Sequence, residues 1–390
     1  MQSPPFSSAM DYQQKQSPPF NESSDSKVSR KYIHNDLTFY VLSKLPIKSL
    51  KRFGCVRKSW SSLFDDSHFM TVFRNHLISH NNCDDHQHTF LLIYQPDCDD
   101  HYHPELHLLD SRIKLNLPPP FSEHDHSLSI LGKTSVNGIF CIGQDLIGGN
   151  KVRYVLWNPA TEEFVNIPPS PNEVMSKHPL LSVFHKFHGF GYDQLRDDYK
   201  VIQYVSFDSS SCVGYDLDSP PPQGNAFHGD ELYTDGACHW LVKGKIHDTI
   251  ALMSFDLSHE VFLTTPIDER SELDYGPELD YGQLAVLNGS IALIINHDNN
   301  NIFHISILGE LGVKESWIKL FIFGPVPSID WSLIGFGNKG YIFFRKKDDE
   351  LAYVDLSTQI IEELGVKGED CCCKIGVYKE SLLSIRGSSN

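Results

Sequence analysis

The chain has 390 residues, of which 40% are hydrophobic and 21% charged, and its formal net charge at pH 7 is −17. That length exceeds one compact core and predicts two domains or a single large repetitive one. No run approaches the roughly 18 apolar residues of a membrane span, and the negative charge opposes nucleic acid and anionic membrane as partners over most of the surface.

At the N-terminus, two copies of Ser-Pro-Pro-Phe, Ser3 to Phe6 and Ser17 to Phe20, lie among Gln, Ser and Asp without an apolar signal-peptide core. Such a composition buries too little surface to offset its ordering entropy, which predicts a disordered tail over residues 1–30. The nine cysteines are an odd number. With no export signal, they predict reduced thiols in an intracellular chain, cytoplasmic or nuclear.

Residues 31–77 read as helical. Asn35 or Asp36 caps a first helix with Leu37, Val41, Leu42 and Leu45 on one face, and Pro46 ends it. Ser49 caps a second helix carrying Leu50, Phe53 and Val56, and Trp60, Leu63 and Phe64 extend the pattern into a third. Three short helices in about forty residues stand near the limit of independent folding. Their apolar residues exceed what so small a core can take, so part of that surface is expected to meet another protein. Between Leu37 and Phe64 lie six basic residues (Lys44, Lys48, Lys51, Arg52, Arg57, Lys58) and no acidic one, a local charge suited to an acidic partner. The plainer reading is a solvated helical face. A helix-turn-helix DNA reader using Lys51-Arg52 and Arg57-Lys58 is opposed by the acidic remainder.

The run Leu42-Ser43-Lys44-Leu45-Pro46-Ile47-Lys48-Ser49-Leu50, then Arg52-Phe53-Gly54-Cys55-Val56-Arg57-Lys58-Ser59-Trp60, then Leu63 and His68-Phe69, resembles a plant F-box in order and spacing. The resemblance implies docking on a Skp-type adaptor, itself acidic, and through it on a cullin. It implies Leu37, Val41, Leu42, Leu45, Pro46, Leu50, Phe53, Val56 and Trp60 as the adaptor-binding residues. One departure stands out: the proline common before the first helix is replaced around His34-Asn35, which predicts a weakened start to that helix.

After Asn75 the helical period gives way to short β-rich runs punctuated by Gly, Pro, Asn and Asp, such as Arg153 to Trp157, Lys200 to Val205 and Gly340 to Phe344. Two signals recur. One is an apolar residue, then Asp or Asn, a turn and a second strand, at Leu109-Asp110, Trp157-Asn158, Tyr215-Asp216, Phe255-Asp256 and Val354-Asp355. The other is Asn/Asp-Gly before an apolar strand, at Asn137-Gly138, Asp235-Gly236 and Asn288-Gly289. A spacing of about 40 to 58 residues predicts a β-propeller of six or seven blades, because one blade cannot bury both faces and a closed ring can. Trp157 with Phe164, and Phe255 with Phe262, are expected on adjacent strands.

Asn137 to Cys141, Leu156 to Thr161, Gly189 to Asp193 with Asp197 to Val201, Asp235 to Trp240 and Lys314 to Trp317 resemble the F-box-associated interaction domain of plants. Gly148 to Pro169 is similar to half a kelch repeat. The resemblance implies that this region selects a protein substrate, whose identity the sequence does not give. The chain therefore reads as an α+β multidomain protein. A disordered tail (1–30) precedes a small three-helix F-box (31–77), a His/Asp-rich linker with the start of the β region (78–107), and an all-β propeller-like interaction domain (108–386).

Other constellations point to structure rather than chemistry. Gly335-Phe336-Gly337-Asn338-Lys339-Gly340 matches a dinucleotide-binding pattern, but a strand follows it instead of a helix. His80, Cys83, His86, His88, Cys98, His101, His103 and His107 supply zinc-ligand types at a spacing that fits no familiar site, which favours a polar loop. Cys371-Cys372-Cys373 alternates across a strand, and free cysteine packs as a small hydrophobe. With no catalytic, metal or cofactor site nominated, the expectation is a non-catalytic substrate-receptor subunit of an SCF-type (Skp-cullin-F-box) ubiquitin ligase. The alternative is a non-ligase protein-binding propeller with a vestigial F-box.

Overall fold

A computed structural model describes residues 34–45, 47–79, 88–96, 105–119, 121, 128–146, 151–169, 182–208, 224–226, 231–244, 250–267, 282–297, 301–326, 329–337, 340–368, 371–382 and 385. The tail over residues 1–30, Pro46, Tyr215-Asp216 and most of the histidine-rich run from His80 to His103 lie outside the described residues.

The N-terminal part is helical: α1 (Asn35–Leu42), α2 (Ile47–Val56), α3 (Lys58–Ser61), a 3₁₀ turn (Ser62–Asp65) and α4 (Ser67–Ser79). Four helices replace the expected three, and the last runs through Asn75. Asp66 starts α4, its Oδ1 accepting the Phe69 N–H at 2.7 Å. Phe69, Met70 and Phe73 then turn one face of α4 into the interior. The Phe69 ring meets Phe39 of α1 edge-on at 5.2 Å and stacks on Phe73 at 6.3 Å. Ser49 lies within α2 instead of capping it.

The remainder is β. The first group is β1 (His88–Pro96), β2 (Glu105–Leu108) and β3 (Ile113–Leu115). The second is β4 (Leu128–Val136), β5 (Ile139–Leu146), β6 (Lys151–Asn158) and β7 (Glu163–Asn166). β8 (Ser182–Asp193) and β9 (Asp198–Asp208) form the third. The fourth holds β10 (Gly224–Ala226), β11 (Leu232–Thr234), β12 (Ala237–Gly244), β13 (Ile250–Asp256) and β14 (Val261–Pro266). The fifth is β15 (Gln283–Leu287), β16 (Ser290–His297), β17 (Ile302–Leu308) and β18 (Trp317–Phe323). The sixth is β19 (Ile329–Gly337), β20 (Tyr341–Lys346), β21 (Glu350–Asp355) and β22 (Ile361–Lys367). Within each group the paired strands are antiparallel.

The last strand, β23 (Cys371–Lys379), does not extend the sixth group in sequence. It pairs antiparallel with β1 along nine residues, from His88 opposite Lys379 to Pro96 opposite Cys371. It also touches β19 and β4 in parallel, through Gly335 with Ile375 and Val377 with Thr134. The two ends of the β region are thus hydrogen-bonded together, and β1 lies within residues 78–107, the expected linker and start of the β region.

Both recurring sequence signals are turns. Asn137-Gly138, Asp235-Gly236 and Asn288-Gly289 have left-handed φ at both positions, 54° and 82°, 50° and 74°, and 47° and 71°, as type I′ hairpins demand. Asn158, Asp193, Asp256 and Asp355 each end a strand, and each Oδ1 accepts the backbone N–H two residues on, at 3.0, 3.0, 2.8 and 2.7 Å. Four residues beyond each, Glu162, Asp197, Glu260 and Gln359 are left-handed. Leu109-Asp110 is out of register with this set. Its left-handed residue is Arg112, which puts Leu108 at the strand end, where there is no side chain able to cap. Trp157 stands opposite Phe164, and Phe255 opposite Phe262.

Candidate functional site

The start of α1 decides whether the helical surface is well formed. Neither Asn35 nor Asp36 caps it. His34 does: its Nδ1 accepts the Asp36 N–H at 3.4 Å, and its carbonyl accepts the Thr38 hydroxyl at 3.2 Å. A polar side chain at the cap position satisfies an N–H that the helix itself leaves unpaired. The residue that replaces the usual proline therefore holds the helix start by another route.

The nine residues expected at the adaptor surface divide. Leu42 and Leu50 are 4% and 2% exposed and belong to the interior with Phe69, Met70 and Phe73. They cannot meet a partner without unpacking that interior, so they leave the candidate surface. Leu45 and Trp60 are partly buried against the same cluster, and Pro46 is outside the described residues. Leu37, Val41, Phe53 and Val56 face solvent, at 55%, 47%, 41% and 73% exposure. Tyr40, which is not among the nine, is exposed as well.

Single exposed apolar side chains are ordinary, but five fall between Leu37 and Val56, with Leu37, Tyr40 and Val41 on one face of α1 and Phe53 and Val56 three residues apart on α2. Burying each would contribute about 1.5–3 kcal/mol. Cations lie among them in the sequence. Lys44, Arg52, Arg57 and Lys58 are exposed, and the Lys44 ammonium lies 5.5 Å from the centre of the Tyr40 ring. Trp60 meets Phe53 edge-on at 5.8 Å, joining α3 to this face. The arrangement suits an acidic protein surface with apolar pockets.

Among the described residues of the β region, His239 and the cysteines Cys141, Cys238 and Cys373 are enclosed. His239, 1% exposed, shares a 2.8 Å hydrogen bond between Nδ1 and the Ser254 hydroxyl. Burial lowers its pKa to about 4, which keeps the imidazole neutral. This resembles a base–nucleophile pair, but both partners are enclosed and no substrate reaches them. Burial likewise pushes the Cys141 and Cys238 thiols well up, and Cys373 is enclosed in a hydrophobic cluster. Among the described residues no group of three His, Cys, Asp or Glu side chains could hold a metal ion. Of the histidine-rich run, His88 begins β1, and His107 pairs with Glu105 at 2.9 Å. Gly335 to Gly337 end β19 and β20 begins at Tyr341, so a strand rather than a helix follows the glycine pattern.

Residues 100–385 match a family model described as the F-box associated beta propeller domain. F-box protein CPR1 of Arabidopsis thaliana is 24% identical, the match covering 91% of this chain and 90% of that one. An F-box/kelch-repeat protein of the same plant is 23% identical over 80% of this chain and 77% of its own. Among solved structures, TolB from Acinetobacter baumannii aligns over 74% of this chain and 66% of its own, at 12% identity and a TM-score of 0.40. That likeness is too distant to decide the fold.

Proposed function

This chain belongs to the plant F-box proteins that carry an F-box-associated β-propeller domain, and from that membership we propose that it is a substrate-receptor subunit of an SCF-type ubiquitin ligase. The observation that carries the reading is the set of solvent-facing apolar side chains on α1 and α2, with exposed cations among them on an otherwise acidic protein. Leu37, Tyr40, Val41, Phe53 and Val56 are the proposed anchors for a Skp-type adaptor, which links the chain to a cullin. A few such anchors supply most of the energy of an interface of about 1,600 Å², while Lys44, Arg52, Arg57 and Lys58 steer the acidic partner.

The β region is proposed as a six-bladed propeller, one blade for each strand group, with β23 completing the first blade through its pairing with β1. Its strand connections would recruit the protein substrate. The chain then acts without a catalytic group of its own, in the cytoplasm or nucleus. It holds substrate lysines at high effective concentration beside the conjugating enzyme that the cullin carries.

The test is co-expression with a Skp-type adaptor, followed by size-exclusion chromatography. A one-to-one complex is expected. Replacing Val41 and Val56 together with Asp removes two anchors and sets negative charge against an acidic surface. The adaptor affinity should fall by more than about 100-fold, with the circular dichroism spectrum unchanged because both positions are exposed. A folded chain that ignores the adaptor would instead make the F-box vestigial and leave a stand-alone binding protein.

A further inference from the structure

We infer that Ser59 is a regulatory phosphorylation site within the basic rim of the F-box surface, and that its phosphate closes this surface to the adaptor. The inference rests on the receptor reading above. Ser59 is exposed on α3 and directly follows the exposed cations Arg57 and Lys58. The neighbouring serines are engaged. Ser43 is buried and donates to the Tyr40 carbonyl at 2.9 Å, Ser61 donates to the Lys58 carbonyl at 2.8 Å, and Ser62 to the Ser59 carbonyl at 3.1 Å. Among the described residues the Ser59 hydroxyl has no hydrogen-bond partner. It sits beside two cations that the acidic substrate groove of a basophilic protein kinase selects.

In the transfer, Ser59 Oγ attacks the γ-phosphorus of a nucleoside triphosphate, and its proton passes to the base of the kinase. The bond to the departing nucleoside diphosphate breaks as the new P–O bond forms. The product carries roughly −1.5 to −2 charge at pH 7. It lands where the sequence from Leu37 to Phe64 has six basic residues and no acidic one. Two effects then act in the same direction. The phosphate pairs with Arg57 and Lys58, withdrawing them from an acidic partner. It also sets a dianion beside the exposed apolar residues of α2: Ser59 is three residues from exposed Val56, at most about 11 Å along the chain, and adjacent to Trp60, which touches Phe53.

The experiment uses the full chain in three forms: unmodified, Ser59→Ala, and with phosphoserine installed at position 59 by genetic encoding. Each is titrated with a Skp-type adaptor by calorimetry at low salt and near 1 M salt. The unmodified and Ser59→Ala chains are expected to bind alike, and the phosphorylated chain at least about tenfold more weakly at low salt, with much of the difference lost at high salt. Equal binding by all three forms overturns the switch and leaves the receptor reading intact. A weakening that persists undiminished at high salt overturns its electrostatic basis. Loss of binding by every form overturns both readings. A kinase that selects Arg two residues before its target should, with ATP, phosphorylate the full chain at Ser59 in peptide mass spectrometry. Modification elsewhere with none at Ser59 also counts against the site.

Discussion

Asp193 has no solvent-exposed side-chain surface, and its carboxylate accepts five hydrogen bonds. They come from the Ser258 hydroxyl at 2.6 Å, the Arg196 guanidinium at 2.8 Å, the Lys200 ammonium at 3.0 Å, and the Leu195 and Arg196 N–H groups at 3.0 and 3.2 Å. Arg196 and Lys200 donate further to the Ser258 and Leu257 carbonyls, at 2.8 and 2.7 Å. The turn after β8 is thereby fastened to the turn after β13. The Ser258 hydroxyl, with Arg196 and Lys200, holds the Asp193 carboxyl far below the usual carboxylate range, against the opposing effect of burial. A depressed folded-state pKa stabilises the protein above the unfolded value, and the contribution is lost as pH falls below about 4. Asp193→Asn should therefore lower the melting temperature at pH 7 and shrink the gap in stability between pH 7 and acid. Parallel pH–stability curves for wild type and Asp193→Asn would show that this carboxylate is not the titrating group. At this scale the sequence was partly legible. The Asx residues at strand ends stood out, because a short polar side chain before a turn has one common use. The His34 cap did not, since histidine is no standard cap and only the folded backbone places Nδ1 near the Asp36 N–H.

Between elements, glycine marks where strand groups come together. A Cβ on Gly335 would stand 2.2 Å from the Ile375 carbonyl oxygen, at the one residue pair joining β19 to β23. Gly236 has open space around it but a φ of +74°. The two glycines thus serve different needs, and alanine should separate them. Gly335→Ala forces two strands apart, at a cost of about 1–3 kcal/mol. Gly236→Ala meets only backbone strain, about 1–2 kcal/mol, and leaves the closing strand in place. Hydrogen exchange should find β23 and β1 deprotected in Gly335→Ala but not in Gly236→Ala. Equal protection in both would remove the close approach as the reason for glycine at 335. The alternation of the β runs showed in the sequence because a period of two marks strands with differing faces. The fourth helix stayed hidden. His68 and Asn75 break its apolar pattern, and Phe69, Met70 and Phe73 take their meaning from α1 and α2, which they pack against. Leu42 and Leu50 belong to the same packing: periodicity finds their apolar face without saying which partner covers it.

For the whole molecule, the sequence boundary between an F-box and an interaction domain does not mark a break in the core. One hydrophobic cluster contains Leu42, Leu50, Phe69, Met70 and Phe73 of the helices together with Ala292, Ile294, Ile305, Leu320 and Phe344 of the fifth and sixth strand groups. A composition shift after Asn75 signals a change of secondary structure, and it carries no information on whether the two parts share a core. On the proposed receptor role, a shared cluster has a mechanical consequence: substrate bound on the β region would be carried at a fixed position relative to the adaptor, which would favour some lysines over others. Phe73→Ala tests the sharing. Phe73 is fully buried, and its truncation should cost about 3–5 kcal/mol. If the cluster is continuous, the loss reaches the strands, so the amides of β16 and β17 exchange faster in the variant although the substituted residue lies in α4. If α4 loosens while β16 and β17 keep wild-type protection, the two parts are energetically separate. The receptor would then behave as two bodies on a tether rather than one rigid arm.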